Sequence, residues 1–227
     1  MNEGAYRIDE SFLSTAVITE LLSKIREDSW VPTHSGGSYA DSKWRTLPLI
    51  KDDSPTEHYS KFSAIDDVVS RFPCKFKMMT FYSILPGGKL HPHRDLSGAS
   101  ILNCMRFHIP LVTNELMDFR VSKKRVIMKP GELWALDTSY LHSVNNAGSA
   151  DRIHIVMEVE MNDWVRELLP RNDHRAYIHK FFFYGIVVQR VFYSFTYNLI
   201  FRRDILKNHL RMASSLLKHI FKIGESK

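Results

Sequence analysis

Histidine and aspartate recur at alternate positions in the short stretch HPHRD, residues 91–95. In an extended chain, residues i and i+2 lie on the same face, so His93 and Asp95 can bind one metal ion while Arg94 points away. His91 lies on the same face and is a rival ligand, although a carboxylate balances the charge of a divalent ion better than another neutral imidazole. Because such pairs are common at surfaces, a metal site here needs a third ligand elsewhere.

His142 is the third candidate ligand. It follows the turn in KPGELWALDTSYLHSV, on a later strand or at its edge, and completes a set of two histidines and one carboxylate. That set favours non-haem Fe(II), because one face of the ion stays open for substrate and oxygen. The two cysteines, Cys74 and Cys104, form no CxxC pattern, which counts against a structural zinc site and a disulfide framework.

The open face of such an ion would need a cosubstrate. If this is 2-oxoglutarate, its distal carboxylate must meet a fixed cation inside the fold. Arg152, ten residues after His142 on an alternating segment, is the best candidate, because a guanidinium binds a carboxylate through two parallel hydrogen bonds. Arg106 and His108 share one face of another segment and could line the same cavity. Taken singly, a buried arginine is more often an ion-pair member, and a lone histidine is more often structural.

Two helices and a β-rich stretch are expected to position these residues. Apolar residues at helical spacing predict a helix over residues 11–28, with Ser11 as its N-cap, and another over residues 57–73. Beyond them, short alternating segments are separated by turns such as residues 130–131, without intervening helices. This order predicts a mainly β fold with flanking helices, an antiparallel sandwich or barrel whose core covers about residues 75–162.

Four segments carry a family resemblance. FYSILPGGKLHPHRD, NCMRFHIPLV, KPGELWALDTSYLHSVNN and DRIHIVMEVE together resemble the aspartyl/asparaginyl β-hydroxylases. The resemblance implies a double-stranded β-helix, a cupin-like jelly roll, that uses Fe(II), 2-oxoglutarate and O2. It implies that the iron ligands, which are also the catalytic residues, are His93, Asp95 and His142. It further implies that the cosubstrate is bound by Arg152 and that the cosubstrate or substrate pocket is lined by Ser83, Arg106 and His108.

Asp95 bears on the branch of this family. Peptide-modifying members resemble the chain at both histidines but lack the carboxylate, whereas the bacterial L-proline cis-hydroxylases are similar to it in having one. A chlorinating relative would need the carboxylate position empty for halide, so Asp95 favours hydroxylation. The resemblance therefore implies a hydroxylase whose substrate is an amino acid, free, carrier-bound or within a peptide.

The C-terminal part differs in charge from the rest. Residues 1–170 hold 20 Lys and Arg against 22 Asp and Glu, whereas residues 171–227 hold 11 against 3. We therefore expect an oxygenase domain over residues 1–170 and a basic, aromatic-rich helical extension over residues 171–227. Residues 181–201 approach membrane-span length but are too polar for a confident span. The extension, mainly residues 177–221, is expected to pack on the domain, mediate a homodimer, contact a membrane peripherally or dock an acidic carrier protein.

The sequence also bounds the setting and the alternatives. No secretion signal is recognisable at the N-terminus and cysteines are few, so we expect a cytoplasmic protein, peripheral to a membrane if the extension binds one. No nucleic-acid-binding module is recognisable, and none is expected as a partner. The alternatives to a 2-oxoglutarate-dependent hydroxylase are a non-catalytic cupin-like metal-binding or scaffold protein and a metal-dependent enzyme that does not use 2-oxoglutarate.

Overall fold

The computed structural model describes residues 4–26, 30–32, 43–95 and 104–169, together with residues 185, 188, 189, 192, 193 and 196. The strands are β1 (Ala5–Asp9), β2 (Val31–Pro32), β3 (Trp44–Lys51), β4 (Ser54–Pro55), β5 (Phe76–Ile84), β6 (Lys89–His93), β7 (Cys104–Val112), β8 (Met117–Val121), β9 (Lys124–Arg125), β10 (Leu133–Leu136), β11 (His142–Asn146) and β12 (Arg152–Glu160). The helices are α1 (Thr15–Lys24), α2 (Ala64–Ser70) and α3 (Asp163–Leu168), and one turn of 3-10 helix spans Tyr59–Lys61.

The strands form two antiparallel sheets. The larger sheet has the order β1-β10-β7-β12-β5-β3-β2, with β4 paired to β3, and the smaller sheet has the order β6-β11-β8-β9. Strand β12 lies at the centre of the larger sheet, hydrogen-bonded to β5 on one side and β7 on the other. This two-sheet arrangement with flanking helices confirms the mainly β, jelly-roll fold that the sequence predicts.

The larger sheet buries both of its faces. One face carries residues such as Phe81, Phe107 and Met157 and packs against α1, α2 and α3 in the main hydrophobic core. The opposite face meets the smaller sheet through a second apolar cluster that includes Leu136 and Phe119. Because successive side chains of a strand alternate between faces, every second residue of β12 points towards the space between the sheets.

The two predicted N-terminal helices are present but shorter than expected. The helix predicted over residues 11–28 begins at Thr15, and its N-cap is Ser14, whose hydroxyl accepts a hydrogen bond from Val17 N at 3.3 Å. The prediction of Ser11 as the cap is therefore wrong. Ser11 precedes the helix, and its amide donates to the Asp9 carboxylate instead. The helix predicted over residues 57–73 divides into the 3-10 turn and α2, with a break at residues 62 and 63.

Gly131 allows the predicted turn at residues 130–131 to pack tightly. Its φ of +83° lies in the left-handed region, and a Cβ there would lie 2.4 Å from the carbonyl oxygen of Leu13. Its amide donates to Pro110 O and its carbonyl accepts from Leu13 N, both at 2.9 Å. The turn thus fixes the start of β10 against β7 and the segment before α1.

The C-terminal extension lies almost entirely outside the described residues, so the expected division at residue 170 stays a prediction. The six described residues beyond 169 are helical, and among them Val188, Phe192 and Tyr193 are exposed. Within the described part of the chain, every helix falls short of the length and apolarity needed to cross a membrane.

Candidate metal centre

Two histidines face each other across the smaller sheet. His93, at the end of β6, is the direct antiparallel partner of His142, at the start of β11, and their ring centroids are 4.2 Å apart. The register of this strand pair shifts between His142 and Val144, because Val144 pairs with Leu90 and one extra residue is accommodated in β6. As a result Leu90 and His93 both face the space between the sheets, whereas His91 is exposed. The rival ligand His91 therefore does not join the cluster.

Asp95 completes the cluster from just beyond β6. Its backbone amide donates to Thr138 O at 2.9 Å, which ties the residue to the turn before β11. Its carboxylate oxygens lie 3.3 Å from His93 Nε2 and 3.9 Å from His142 Nε2. One ligand atom from each of the three residues lies within 4.8 Å of the other two. The spacing of the sequence thus brings the three candidate ligands together.

Backbone carbonyls orient both imidazoles towards this point. His93 Nδ1 lies 2.7 Å from His91 O, and His142 Nδ1 lies 3.0 Å from Tyr140 O. A carbonyl only accepts, so each Nδ1 carries a proton, and in a neutral ring Nε2 then keeps its lone pair for the centre. Burial, partly offset by the Asp95 carboxylate, lowers the pKa of His142 to about 4. The His142 ring is therefore neutral at physiological pH, as a metal ligand must be.

A buried ion-pair chain holds the Asp95 carboxylate. Arg106, on β7, donates through Nη1 to Asp95 Oδ2 and through Nη2 and Nε to Glu158 Oε1 of β12. Arg106 and Glu158 are direct cross-strand partners, which explains why their side chains meet. Burial raises the pKa of Asp95, but Arg106, His93 and His142 outweigh it and hold that pKa below its ordinary value. Asp95 is thus kept ionised.

The three candidate ligands open on a cavity of about 210 Å³ between the two sheets. Aromatic side chains Trp44 and Tyr82, with ring centroids 5.0 Å apart, form part of its wall. The polar side chains that line it besides the ligands are those of Arg106, His108, Asp137, Thr138 and Arg152, and apolar side chains form much of the remaining wall. The cavity therefore has a mostly apolar lining with a small number of polar side chains, as is typical of ligand sites.

Arg152 is a buried cation in this chamber. It lies at the start of β12 with 3% of its surface exposed, and it lines the cavity. Its Nη2 lies 2.8 Å from Nδ1 of His154, and no carboxylate pairs with it among the described residues. Burial lowers the pKa of Arg152 to about 9, so the group remains protonated at physiological pH. An uncompensated guanidinium of this kind is suited to bind an anion.

The remaining predicted pocket residues differ in placement. His108, on β7, lines the cavity, and its buried Nδ1 has no partner in the described ranges. Ser83 does not line the cavity. Its neighbours Tyr82 and Ile84 do, so strand alternation turns Ser83 to the opposite face of β5. There its hydroxyl lies 3.3 Å from both Arg45 Nε and Asp151 Oδ2.

Sequence reasoning missed two features of the site. Glu158 was not expected to take part, although it lies on the same β12 face as Arg152, and it fixes the arginine that holds Asp95. Thr138 was also overlooked. Its hydroxyl is buried, lines the cavity and has no hydrogen-bond partner within the described part of the chain. Strand parity could have signalled Glu158, but the β10–β11 turn that presents Thr138 has no sequence signal.

The arrangement fits a divalent metal with a dicarboxylate cosubstrate. Two imidazoles and one ionised carboxylate converge on one point, and they open on the cavity. The buried Arg152 is a cation of the kind that a distal carboxylate requires. A structural zinc site would present a closed set of four ligands, and no fourth ligand lies in this cluster among the described residues.

Comparisons with known proteins agree with this chemistry. Residues 14–162 match the aspartyl/asparaginyl β-hydroxylase family. No curated protein matches the sequence significantly. HygX from Streptomyces hygroscopicus, solved with nickel, 2-oxoglutarate and hygromycin B bound, is 10% identical over 70% of this chain and 84% of its own, with a TM-score of 0.50.

Two prolyl hydroxylases are also similar to this chain. The viral collagen prolyl hydroxylase from Paramecium Bursaria Chlorella virus-1, solved as a 2-oxoglutarate complex, is 15% identical over 70% of this chain and 96% of its own, with a TM-score of 0.48. A prolyl-4-hydroxylase from Pseudomonas putida is 14% identical over 70% of this chain and 93% of its own, with a TM-score of 0.47. At 10% identity, HygX and this chain share the fold alone. Because the family match covers most of the chain, the protein belongs to the aspartyl/asparaginyl β-hydroxylase family and is an Fe(II)- and 2-oxoglutarate-dependent oxygenase.

Proposed function

We propose that this enzyme hydroxylates an unactivated C–H bond of an amino acid, free, carrier-bound or within a peptide. In this proposal His93, Asp95 and His142 hold Fe(II), and Arg152 binds the distal carboxylate of 2-oxoglutarate. The observation that carries it is the pairing of two features in one chamber: a neutral-histidine and carboxylate cluster, and a buried guanidinium without a counter-ion. The buried guanidinium is costly without an anion, and the carboxylate proposed as its ligand would remove that cost.

The protein prepares the metal ligands before the metal arrives. Carbonyl acceptors fix the tautomer of both histidines, so in the neutral rings it is Nε2 that offers a lone pair to the ion. Arg106 engages one oxygen of Asp95 and leaves the other for the ion, which favours binding through a single oxygen. Bound Fe(II), together with 2-oxoglutarate and O2, supplies the oxidising power that protein side chains lack.

The chamber walls orient the organic ligands. Arg152 would receive the distal carboxylate of the cosubstrate through charge-assisted hydrogen bonds. Burial and the nearby Arg152 and Arg106 guanidiniums hold the pKa of His108 well below its ordinary value, so its neutral ring offers hydrogen bonding without a charge. Apolar side chains from both sheets, among them Leu90, Val144 and Val156, exclude water from the reacting atoms.

The proposal of an amino-acid substrate is based on the family and on Asp95. The family takes its name from hydroxylation of aspartyl and asparaginyl side chains, and the resemblance at Asp95 favours a branch that acts on proline. We place the substrate near the chamber wall formed by Trp44 and Tyr82, whose rings offer apolar surface in a cavity that is also lined by the polar side chains of Asp137 and Thr138. Such a wall suits a small zwitterion with an aliphatic body.

The basic extension is proposed to be a separate part that contacts a membrane surface, a second copy of the chain or an acidic carrier. Support comes from its excess of eight positive charges and from the exposed aromatic residues Phe192 and Tyr193. We also propose a cytoplasmic location, which rests on the sequence alone.

An anaerobic titration tests the assignment of residues. Fe(II) and then 2-oxoglutarate are added to the protein, and the visible charge-transfer band of the complex is followed. We expect the band in wild type, a band in Asp95→Ala only at much higher Fe(II) because one metal ligand is lost, and a band in Arg152→Met only at much higher 2-oxoglutarate. Arg120→Met, an exposed arginine on β8, is the matched control and should behave as wild type.

The same titration separates the alternatives. A folded, iron-loaded wild type without a band would contradict the cosubstrate site and favour a non-catalytic metal-binding protein or a different metal chemistry. A normal band in Asp95→Ala would instead contradict the ligand set alone. Once the band is established, amino acids are screened by succinate release, and failure of every free amino acid would direct the search to peptides and carrier-bound substrates.

A further inference from the structure

A second cavity of about 410 Å³ adjoins the cavity beside the metal cluster. It is lined by the β7–β8 connection, strand β8 and the segment between β9 and β10, and its side chains are Thr113, Asn114, Glu115, Met117, Phe119, Arg125, Val126, Ile127, Met128, Arg152 and His154. Arg152 and Phe119 line both cavities, so they form part of the partition between them. This rear cavity has no role in the function proposed above.

His154 presents an unsatisfied donor to the rear cavity. Its Nδ1 accepts a hydrogen bond from the Arg152 guanidinium, which can only donate, so Nδ1 carries no proton. Burial and the Arg152 charge hold the pKa of His154 well below its ordinary value, so the ring is neutral and its one proton is on Nε2. This Nε2–H is 98% buried with its residue, lines only the rear cavity, and meets no acceptor among the residues described.

Charge and shape indicate what would satisfy this donor. Arg152 supplies a buried positive charge, and Arg125 supplies a second positive charge. Arg125 donates hydrogen bonds to the backbone carbonyls of Met117 and Glu115, and its Nε lies 4.0 Å from the Asp118 carboxylate. The single acid lining the cavity, Glu115, is exposed at its rim. The potential in the cavity therefore favours an anion.

Apart from Thr113 and Asn114, the rest of the wall is apolar. Buried side chains of Met117, Phe119, Val126 and Met128 face the cavity, and their thioether and aromatic surfaces adapt readily to an aliphatic ligand. A volume of about 410 Å³ falls within the range of small-molecule sites, which is roughly 300–1,000 Å³.

We propose that the rear cavity is a second binding site, for a small monocarboxylate with an aliphatic body. The carboxylate accepts from His154 Nε2 and lies beside Arg152, and the aliphatic body packs on Met117 and Met128. The site lies apart from the metal cluster, none of whose three residues lines it. Its occupant would therefore not be a substrate of the hydroxylation.

The shared arginine couples this site to the cosubstrate. This part of the inference rests on the proposed role of Arg152 in 2-oxoglutarate binding. Two carboxylates on opposite sides of one guanidinium repel each other and compete for the same donors, so a ligand in the rear cavity weakens 2-oxoglutarate binding. By reciprocity, 2-oxoglutarate weakens the rear ligand to the same extent. A rear ligand is therefore an inhibitor that never touches the metal.

The test uses full-length protein with isotope-labelled methionine methyl groups and hexanoate as the probe. Met117 and Met128 report on the rear cavity, whereas Met79, Met105 and Met157 lie in the core on the far side of the larger sheet and serve as internal controls. We expect saturable shifts of the first two methyl signals and none of the other three.

Two variants assign the shifts to the site. Thr113→Trp, at a half-buried position that lines only the rear cavity, should abolish them by filling the space, and His154→Leu should abolish them by removing the donor. Ser143→Trp, at a half-buried position on β11 that lines neither cavity, should leave them unchanged. Absent shifts, shifts at all five methionines, or unchanged saturation in Thr113→Trp would each overturn the second site, even if His154→Leu fails to fold.

A second measurement tests the coupling. Saturating hexanoate should raise the Kd for 2-oxoglutarate in the anaerobic titration by about five-fold or more in wild type, and Thr113→Trp should remove this effect. If the Kd for 2-oxoglutarate still rises in Thr113→Trp, hexanoate competes within the cavity beside the metal cluster, and the coupling is overturned. If wild type binds no 2-oxoglutarate, the proposed function fails, whereas the methionine shifts still decide the second site.

Discussion

Replacing Arg152 by methionine should stabilise the ligand-free protein while it abolishes tight binding of 2-oxoglutarate. Burial lowers the pKa of Arg152 to about 9, which corresponds to roughly 5 kcal/mol for keeping the guanidinium charged in its site. Methionine retains the apolar stem and removes this penalty, but it also removes the hydrogen bond to His154, worth about 1 kcal/mol. After relaxation of the surroundings, we expect a net gain of about 2 kcal/mol in the free energy of unfolding, or a rise of about 4–8 °C in Tm.

The effect on the ligand has the opposite sign. Two charge-assisted hydrogen bonds to a carboxylate contribute about 1.5–3 kcal/mol each, so the variant should lose about 4 kcal/mol, or about a thousand-fold in Kd. At a 2-oxoglutarate concentration about 100 times its Kd, wild type gains about 2.7 kcal/mol of stability, whereas the variant gains almost nothing. The order of stability of the two proteins should therefore reverse when the ligand is added.

The pH dependence follows from the same shift. The folded-state pKa of Arg152 lies below its unfolded value, so the unfolded chain binds the extra proton and the penalty is present in full below about pH 9. The stability difference between the ligand-free proteins should be constant near neutral pH and narrow as the pH rises through 9. Chemical denaturation with and without 2-oxoglutarate measures all three effects. Arg152→Met that is less stable than wild type without ligand, or that binds 2-oxoglutarate equally well, would refute the reasoning.

Further predictions concern the supports of the site and the fold. Glu158→Gln should weaken Fe(II) binding about ten-fold, because Arg106 would hold the Asp95 carboxylate less firmly. Glu160→Gln, two residues along β12, should leave Fe(II) binding unchanged, and an Fe(II) titration compares the two variants. Ser14→Ala should lose about 1 kcal/mol of unfolding free energy in urea denaturation, and Ser11→Ala less than half of that. A chain ending at residue 172 should keep the 2-oxoglutarate band but lose co-sedimentation with anionic vesicles; equal co-sedimentation of both forms would contradict a membrane role for the extension.

The ligand cluster could be predicted because it depends mainly on local spacing. Residues at i and i+2 share a strand face, so His93 and Asp95 needed no knowledge of the tertiary fold. The alternation of β12 likewise placed Arg152 on an inward face. His91 could not be excluded in this way, because the extra residue accommodated in β6 is visible only when the pairing with β11 is known.

Errors arose where a side chain's direction depends on a distant strand. The proposed pocket role of Ser83 came from the resemblance, and strand parity turns this residue towards Arg45 and Asp151 instead. Glu158 was missed because its partner Arg106 is 52 residues away, and only the register of β7 against β12 brings them together. Ser11 and Ser14 are equally good caps by type, and the packing of the preceding turn decides between them.

The inward face of β12 sets where the cation proposed to bind the cosubstrate can lie. Glu158, which binds the arginine that holds Asp95, and Arg152, which lines the chamber, are six residues apart on one continuous strand. Because the side-chain period is two, neighbouring positions on this face are about 7 Å apart along the strand. An arginine cannot be moved along this strand by a fraction of that distance. The spacing of side chains along the strand therefore limits the chain length of the 2-oxo acid that the site accepts. A shorter or longer cosubstrate would need a cation on a different strand in place of Arg152.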